Sequence, residues 1–173
     1  MILQGTVVWP HLFEPTQFEQ NEPKYELNLL IRKDDEQMDD IRAVIEELVN
    51  EKMKGSCSPE QLPIKDCDQR DDSGEDFAGC YMIPMRSVKR PGVVDMEVQT
   101  IIDPDGIRGG DICRVDCNFY YYSAGKKGIA CGLNNVQLVK SGDHVIGGGR
   151  MRPEAVFAPI GGTKPKEKGN VSF

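Results

Sequence analysis

The segment from Asp111 to Tyr122 has the residue pattern of a strand that could bind a flat, charged ligand. Alternate side chains of a strand point to opposite faces. Here one face is apolar, while the other carries Arg114, Tyr120 and Tyr122 among polar residues. A face that meets only water has no need of two aromatic rings. Tyrosines beside cations on an exposed sheet can stack on unpaired bases while the cations bind phosphates. The pattern therefore predicts binding rather than catalysis.

Further cations lie where the predicted turns and strand ends could bring them to the same surface. Each stacked base contributes about 1–3 kcal/mol, and phosphate contacts add a salt-sensitive contribution. The additional candidates are the turn residues Lys126 and Lys127, the outward strand residues Lys24 and Arg32, and the cluster Arg86, Lys89 and Arg90. Trp9 is a further stacking candidate, although it shares a strand face with Leu3 and Val7, which favours packing in the core.

Each candidate also has an ordinary structural explanation. Tyr120 and Tyr122 could pack beneath a loop or at a dimer interface, where tyrosines are common. The lysines of the turn could simply keep a hairpin tip hydrated, and the other cations could be plain surface charges. The same face is therefore compatible with a second class of function, a protein–protein adaptor that uses its tyrosines as an interface.

The cysteines and histidines do not form a recognisable metal or catalytic site. Six cysteines occur without a Cys-x-x-Cys pair, and Cys113 and Cys117 fall on the inward strand face, where cysteine packs as a small hydrophobe. A zinc site built from the other, scattered cysteines remains an alternative. His11 and His144 lack ligand-spaced neighbours. No phosphate-binding loop or nucleophile motif is present, so we expect neither an enzyme nor a cofactor.

The net charge of −7 argues against a nucleic-acid partner, but the charge is unevenly distributed. Residues 34–76 contain fifteen acids and five bases, which leaves the other 130 residues with 16 bases and 13 acids. The local potential steers a ligand, rather than the net charge of the whole molecule. We therefore interpret residues 34–76 as one solvated acidic face and expect the rest of the surface to be locally basic. No apolar run approaches the ~20 residues that span a bilayer. The first ten residues lack the features of a signal peptide, so we expect a cytoplasmic protein with free thiols and no membrane contact.

Short strands and one helix must position these residues. The predicted strands are residues 2–9, 24–32, 77–88, 93–102, 111–122 and 129–139. Apolar residues at steps of three and four predict an amphipathic helix over 35–53, whereas Pro10 should end the first strand and 56–76 should be a long loop. Five or six strands with one inserted helix favour a mainly β fold, the small oligonucleotide/oligosaccharide-binding (OB) barrel. We expect this domain over 1–148 and a flexible tail with Gly, Pro and Lys over 149–173.

Four stretches carry a resemblance to a known family. They are Lys24-Tyr-Glu-Leu-Asn-Leu-Leu-Ile-Arg32, the helix that follows, the aromatic strand from Gly110 to Tyr122, and Gly128-Ile-Ala-Cys-Gly-Leu-Asn-Asn-Val-Gln-Leu-Val139. In these the chain resembles phage-encoded single-stranded DNA-binding proteins with an OB fold, related to podovirus-type replication proteins. The resemblance implies binding of single-stranded DNA without strong sequence preference in replication, recombination or repair. It also implies a polymerase, helicase or nuclease as a partner.

The C-terminus departs from the family pattern. Many members end in an acidic tail with a terminal aromatic residue that contacts partners and competes with DNA. This chain keeps Phe173, but residues 164–172 are basic or neutral. The acidic segment 66–76 is an alternative for that role, in which case its deletion should raise DNA affinity.

The sequence thus favours a non-catalytic single-stranded DNA-binding protein. An OB-type adaptor of a replication complex is the second hypothesis, and a metal-dependent nucleic-acid enzyme that uses the loop acids is the third. The oligomeric state stays open, with a homodimer among the alternatives.

Overall fold

The computed structural model describes residues 1–70, 74–148 and 153–161, and most of its strands form a closed barrel. The strands are β1 (Ile2–Thr16), β2 (Lys24–Arg32), β3 (Lys65–Asp66), β4 (Cys80–Ser87), β5 (Gly92–Val94), β6 (Ile112–Tyr122) and β7 (Gly128–Lys140). Antiparallel pairing joins β1 to β2 and β6, β2 to β4, and β6 to β7. A short parallel pairing of β4 with β7 closes the barrel. Five strands in this order form an OB barrel, as the sequence predicts.

One long helix, α1 (Gln37–Lys52), lies between β2 and β4 in the chain and covers part of the barrel. Its buried residues Met38, Ile41 and Ile45 pack into the same cluster as the inward residues of the barrel strands. Each such side chain contributes about 1.5–3 kcal/mol when it is fully buried. The predicted helix over 35–53 and the predicted strand over 24–32 are therefore confirmed.

The first strand does not end at Pro10, as the sequence analysis expected. β1 continues to Thr16, with irregular register against β2 between Val8 and His11 and again before Thr16. Proline has no N–H to donate, but a bulge leaves a residue unpaired and so tolerates it. Trp9 has a φ of +49° at this bulge. The local kink therefore replaces the predicted strand end.

The acidic segment after α1 is packed rather than a bare loop. A 3-10 turn spans Pro59–Gln61, β3 pairs with β4, and Cys67 is fully buried. The Nζ of Lys33 lies 2.6 Å from Asp66 Oδ1 and 2.7 Å from Asp68 Oδ2. The prediction of a long loop over 56–76 is thus wrong for its described part. Contacts with Lys33 and with β4 stabilise an ordered structure that the polar sequence of the segment does not predict.

Two predicted strands are shorter than expected. Of the predicted strand 93–102, only Val93 and Val94 lie in a strand, β5, which pairs with β7, and a turn around Asp95 follows. Phe77 lies in a 3-10 turn, Glu75–Phe77, and packs with Val8, Leu30 and Met82 on the outside of the barrel. It therefore does not share a strand face with Ile83 and Met85, whose side chains belong to the barrel core.

The C-terminal part is described only in fragments. A short helix, α2 (Pro153–Val156), lies within the predicted tail, whereas residues 149–152 and 162–173, with Phe173, lie outside the described residues. The division at residue 148 therefore remains a prediction. None of the helices in the described ranges is long and apolar enough to cross a membrane.

Candidate nucleic-acid interface

The two faces of β6 separate as the alternation predicts. Cys113, Val115 and Cys117 are fully buried. On the opposite face Tyr120 is 43% exposed, and Tyr122 is half-buried. Tyr120 pairs across the sheet with Ala130 on β7, which carries only a methyl group and leaves the tyrosine ring uncovered on that side.

The ring of Tyr122 lies against the backbone of its cross-strand partner, Gly128. A Cβ atom added at Gly128 would stand 2.5 Å from Tyr122 Oη and 2.8 Å from its Cζ. Real Cβ atoms do not approach other heavy atoms so closely, so this ring position requires glycine. Gly128 therefore fixes where Tyr122 can lie.

The two tyrosines border a groove of about 440 Å³, which we call the tyrosine groove. Its other polar walls are Lys24 at the start of β2, Lys65 of β3 and Arg86 of β4. Apolar residues line the rest: Leu62, Pro63, Pro84, Ile129, Ala130 and Cys131. The groove crosses β6, β7 and β4, so strands that are distant in sequence supply its rings and cations together.

A second cavity of about 610 Å³ continues from the first, because both are lined by Lys24 and Arg86. It reaches the loop between β1 and β2, where Phe18 is 73% exposed. The β2–β4 face and the loops beside it are the surface on which OB barrels bind oligonucleotides.

The charges of the tyrosine groove are unequally compensated. Arg86 Nε lies 3.1 Å from Glu26 Oε2, which sits directly opposite on β2. Lys24 and Lys65 form no ion pair among the described residues. Two ammonium groups are therefore free to meet phosphates, whereas the Arg86 guanidinium is already shared with a carboxylate.

Several predicted site residues lie away from this groove. Arg114 stands near the start of β6, beside Gln137 at 3.4 Å, in a separate depression with Ile2 and Val94. Arg32 lies at the far end of β2 from Lys24 and binds Asp34 at 3.1 Å. Its hydrogen bond holds the pKa of Asp34 below the usual value. A shared strand or face therefore does not make these arginines neighbours of the tyrosines.

The basic turn after β4 is also partly engaged. The Arg90 guanidinium lies 5.4 Å from the centre of the Phe13 ring, a cation–π contact. Lys89 is exposed, and its backbone N–H donates to Ser87 Oγ. Neither side chain lines the tyrosine groove.

Trp9 lies neither in the barrel core nor in the groove. Its ring stacks on Phe77 with 5.6 Å between centroids and 25° between planes, and 36% of the residue is exposed. The bulge in β1 breaks the alternation after Val8, so the side chain does not follow Leu3 and Val7 inward. The expectation that Trp9 packs in the core is therefore wrong. Trp9 lies on the outer surface because of the bulge.

The lysines of the β6–β7 turn adjoin the groove. Residues 123–127 are all exposed, and this turn begins immediately after Tyr122. Gln61 Nε2 donates a hydrogen bond of 3.1 Å to the carbonyl oxygen of Lys127. The 3-10 turn Pro59–Gln61 and the basic turn therefore meet at the end of the groove that Tyr122 forms.

Sequence reasoning missed two residues of this surface, Lys65 and Phe18. Lys65 lies within an acidic stretch that reads as a loop, and only the pairing of β3 with β4 brings it to the groove. Phe18 is an aromatic residue between Pro15 and Pro23 in a polar loop, which is a signal that could have been used.

No group of three or more potential ligands is placed to hold a metal ion within the described ranges. None of the six cysteines, all within the described ranges, forms a disulfide, and five of them are buried. His144 Nε2 lies 2.7 Å from Asp76 Oδ1, and His11 is exposed on β1. The described residues thus offer no cluster for metal chemistry.

Sequence comparison gives two matches over most of the chain. A family model described as the single-stranded DNA-binding protein of Enterobacter phage Enc34 matches residues 3–169. Protein p50 of Acyrthosiphon pisum secondary endosymbiont phage 1 is 31% identical over 157 residues, which are 83% of this chain and 84% of that protein.

Solved structures give matches of the same kind. The C-terminally truncated single-stranded DNA-binding protein from bacteriophage Enc34 has a TM-score of 0.73 at 26% identity, over 83% of this chain and 86% of that one. The same phage protein in complex with single-stranded DNA has a TM-score of 0.71, with the same identity and coverage. A single-stranded DNA-binding protein of bacteriophage T7 has a TM-score of 0.51 at 15% identity, over 81% and 92% of the two chains, and shows a common fold alone.

Proposed function

The chain belongs to the family of the Enterobacter phage Enc34 single-stranded DNA-binding protein, and from this premise we propose that it binds single-stranded DNA in the tyrosine groove. It does so without catalysis and largely without sequence preference. It thereby protects or organises single strands during phage DNA replication, recombination or repair. Its place of action is the host cytoplasm, alongside a replication protein such as a polymerase, helicase or nuclease.

The observation that carries the proposal is the convergence of two tyrosines and three cations on one groove. Every base has a flat face that can stack on Tyr120 or Tyr122, whatever its identity. Lys24, Lys65 and Arg86 meet phosphates, which carry no sequence information. Lys126 and Lys127 extend the same cationic surface at the end of the groove.

The geometry favours DNA binding over the adaptor hypothesis for this surface. Interface cores are depleted in charged residues, whereas this groove has two lysines without an ion-pair partner among the described residues. An acidic polymer compensates such charges directly. The tyrosine groove therefore fits a nucleic acid better than an apolar protein surface.

The test is fluorescence anisotropy of a labelled oligo-dT, titrated with protein at two salt concentrations, with a duplex of equal length as the control. We expect tight binding to the single strand only, weakened by salt and by the double variant Tyr120→Ala/Tyr122→Ala. Binding that survives the double variant would move the site elsewhere. Absence of binding at low salt would contradict the proposal and favour the adaptor hypothesis.

Two arginines with similar ion pairs provide a matched comparison. Arg86 pairs with Glu26 in the groove, and Arg32 pairs with Asp34 away from it, both at 3.1 Å. Arg86→Ala should weaken binding and reduce the salt dependence by the contribution of about one phosphate contact, whereas Arg32→Ala should leave both unchanged. Equal effects of the two variants would show that the groove does not define the site.

A further inference from the structure

The turn between β6 and β7 carries two lysines and makes few contacts with the rest of the described structure. All five residues 123–127 are exposed, and Gly125 has a φ of +79°. Gln61 makes the only side-chain hydrogen bond to this turn among the described residues. Because Gln61 lies 66 positions earlier in the chain, the contact joins two separate parts of the fold.

Both ends of the Gln61 amide are engaged. Its Oε1 accepts from the backbone N–H of Ser58 at 2.9 Å and lies 3.2 Å from Ser58 Oγ. Its Nε2 donates to the Lys127 carbonyl oxygen at 3.1 Å. The bonds to Ser58 hold the amide in place within the 3-10 turn, so the Nε2 donor is aimed at Lys127 before any ligand arrives.

The backbone of Gln61 also lies close to the tyrosine that ends β6. A Cβ placed on Gly128 would stand 3.0 Å from the Gln61 carbonyl oxygen and 2.5 Å from Tyr122 Oη. The Gln61 backbone, the Tyr122 hydroxyl and the start of β7 therefore meet at one point. This point lies where the tyrosine groove passes into the basic turn.

We propose that Gln61 is a positioning residue for DNA binding, which holds the Lys126–Lys127 turn against the tyrosine groove. A loop that becomes ordered only on binding loses conformational freedom at that moment, and a loop that is ordered beforehand does not. The glutamine side chain thus links the 3-10 turn Pro59–Gln61 to the cations that bind the DNA backbone. The inference rests on the proposed function, because it concerns the same site.

The test is a double-mutant cycle between Gln61 and the turn lysines, measured as oligo-dT affinity. Gln61→Ala should weaken binding about three- to tenfold, as expected for one hydrogen bond. In a Lys126→Ala/Lys127→Ala background, the same substitution should change affinity less than about twofold, because the groups that Gln61 positions are absent. An equal decrease in both backgrounds, or none in either, would overturn the proposal.

Two further variants separate positioning from folding. Gln61→Glu keeps an acceptor for the Ser58 N–H but places an oxygen where Nε2 donates, so it should weaken binding as Gln61→Ala does. Because the added carboxylate itself repels DNA, Gln61→Glu is compared in the wild-type and the Lys126→Ala/Lys127→Ala backgrounds, and this comparison decides the question if Gln61→Ala fails to fold. Ser58→Ala removes the Oγ contact but keeps the bond from the Ser58 N–H, so it should weaken binding less than Gln61→Ala does. A Gln61→Glu variant of wild-type affinity would count against the proposal.

The salt dependence of DNA affinity distinguishes positioning from a purely structural role, because a purely structural role would leave it unchanged. Removal of one phosphate interaction should lower the slope of log affinity against log salt by about 0.7 for a single strand. We expect a lower slope for Gln61→Ala and a smaller change of slope for Ser58→Ala, which keeps the bond from the Ser58 N–H. Wild-type protein and Tyr120→Ala belong in the same experiment. If wild-type protein does not bind, the proposed function fails. If it binds and only Tyr120→Ala weakens it, the role of Gln61 alone fails.

Discussion

The two tyrosines of the groove differ in how much of each ring a ligand can reach. Tyr120 is 43% exposed beside Ala130, whereas Tyr122 is half-buried against Gly128 and close to the Gln61 backbone. A base can lie flat only on an open ring. We therefore expect Tyr120 to supply most of the stacking and Tyr122 to form the fixed end of the groove.

Substitution of each tyrosine alone tests this division. Tyr120→Ala should reduce the free energy of oligo-dT binding by about 1–3 kcal/mol, the usual contribution of one stacked base. Tyr120→Phe keeps the flat ring and should retain affinity in the same anisotropy titration. A larger decrease in affinity from Tyr122→Ala than from Tyr120→Ala would show that the exposed ring is not the main platform.

For individual residues, the sequence predicts which face of a strand a side chain occupies better than it predicts which site that side chain lines. The outward face of β6 could be predicted because the strand is regular, but Arg114 and Tyr120 on that face are six residues apart, or about 20 Å at strand spacing. Trp9 could not be placed, since the bulge that turns it outward is not visible in the alternation. Lys65 was missed because its position depends on the pairing of β3.

Among the structural elements, the β6–β7 hairpin needs glycine at position 128 to accommodate the Tyr122 ring. Gly128 pairs with Tyr122, and its missing side chain is what makes room for the ring. Any larger residue must push the tyrosine or the Pro59–Gln61 turn aside. The order of the hairpin and the shape of the tyrosine groove are therefore linked at this position.

Gly128→Ala should displace the Tyr122 ring and lower both stability and DNA affinity. Overpacking of this kind typically costs about 1–3 kcal/mol, which thermal unfolding monitored by circular dichroism can detect. Gly74→Ala is the control, because a Cβ there would meet nothing within 4 Å. A Gly128→Ala protein with wild-type melting temperature and affinity would contradict this account of the hairpin.

The segment that carries β3 depends on one cation at the end of β2. Hydrogen bonds from Lys33 and from the Gly79 backbone N–H lower the pKa of Asp68, and hydrogen bonds to Asp66 and Asp68 raise the pKa of Lys33. A carboxylate whose pKa is lower in the folded state stabilises the fold above its unfolded pKa. That stability is lost as the pH falls through the folded value.

Lys33→Met should therefore destabilise the protein at neutral pH but much less in acid. The difference in melting temperature from wild type should shrink as the pH falls below about 4, the range in which an unfolded aspartate titrates. Arg42→Met removes an exposed ion pair with Asp39 and is the control, since such pairs contribute little at any pH. A Lys33→Met difference that is independent of pH would contradict the assignment.

Predictions of elements succeeded where local pattern decides and failed where distant contacts decide. The strand Lys24–Arg32 and helix α1 follow from their own periodicity. The order within 56–70 could not be predicted, because Lys33 and β4 stabilise it from outside the segment. The extension of β1 past Pro10 also depends on pairing with β2, which overrides the usual effect of proline.

At the scale of the whole molecule, charge is divided between surfaces. The chain is acidic overall, at −7, yet the groove lysines Lys24 and Lys65 have no acidic partner among the described residues. The acids are concentrated in residues 34–76, which contain α1 and the segment after it. If the groove binds DNA as proposed, an acidic flank and a cationic groove would together orient the approaching polyanion, because local potential governs the encounter.

The barrel is closed at its shortest seam. β4 and β7 share only two residue pairs, Met85 with Cys131 and Arg86 with Gly132, whereas β6 and β7 pair along almost their whole length. The tyrosine groove lies across this seam, with Arg86 on one side and Ala130 on the other. A strand of DNA in the groove would contact both sides of the closure at once.

The seam should therefore open more readily than the rest of the barrel, and a bound strand should hold it closed. We expect the backbone amides that donate across the β4–β7 pairing to exchange hydrogen faster than those of the β1–β2 pairing in free protein, and to slow most when saturating oligo-dT is added. Uniform slowing across the barrel would contradict this. DNA binding in the groove and closure of the barrel would then be coupled. A protein that has released its DNA would open first at the surface to which the next DNA strand must bind.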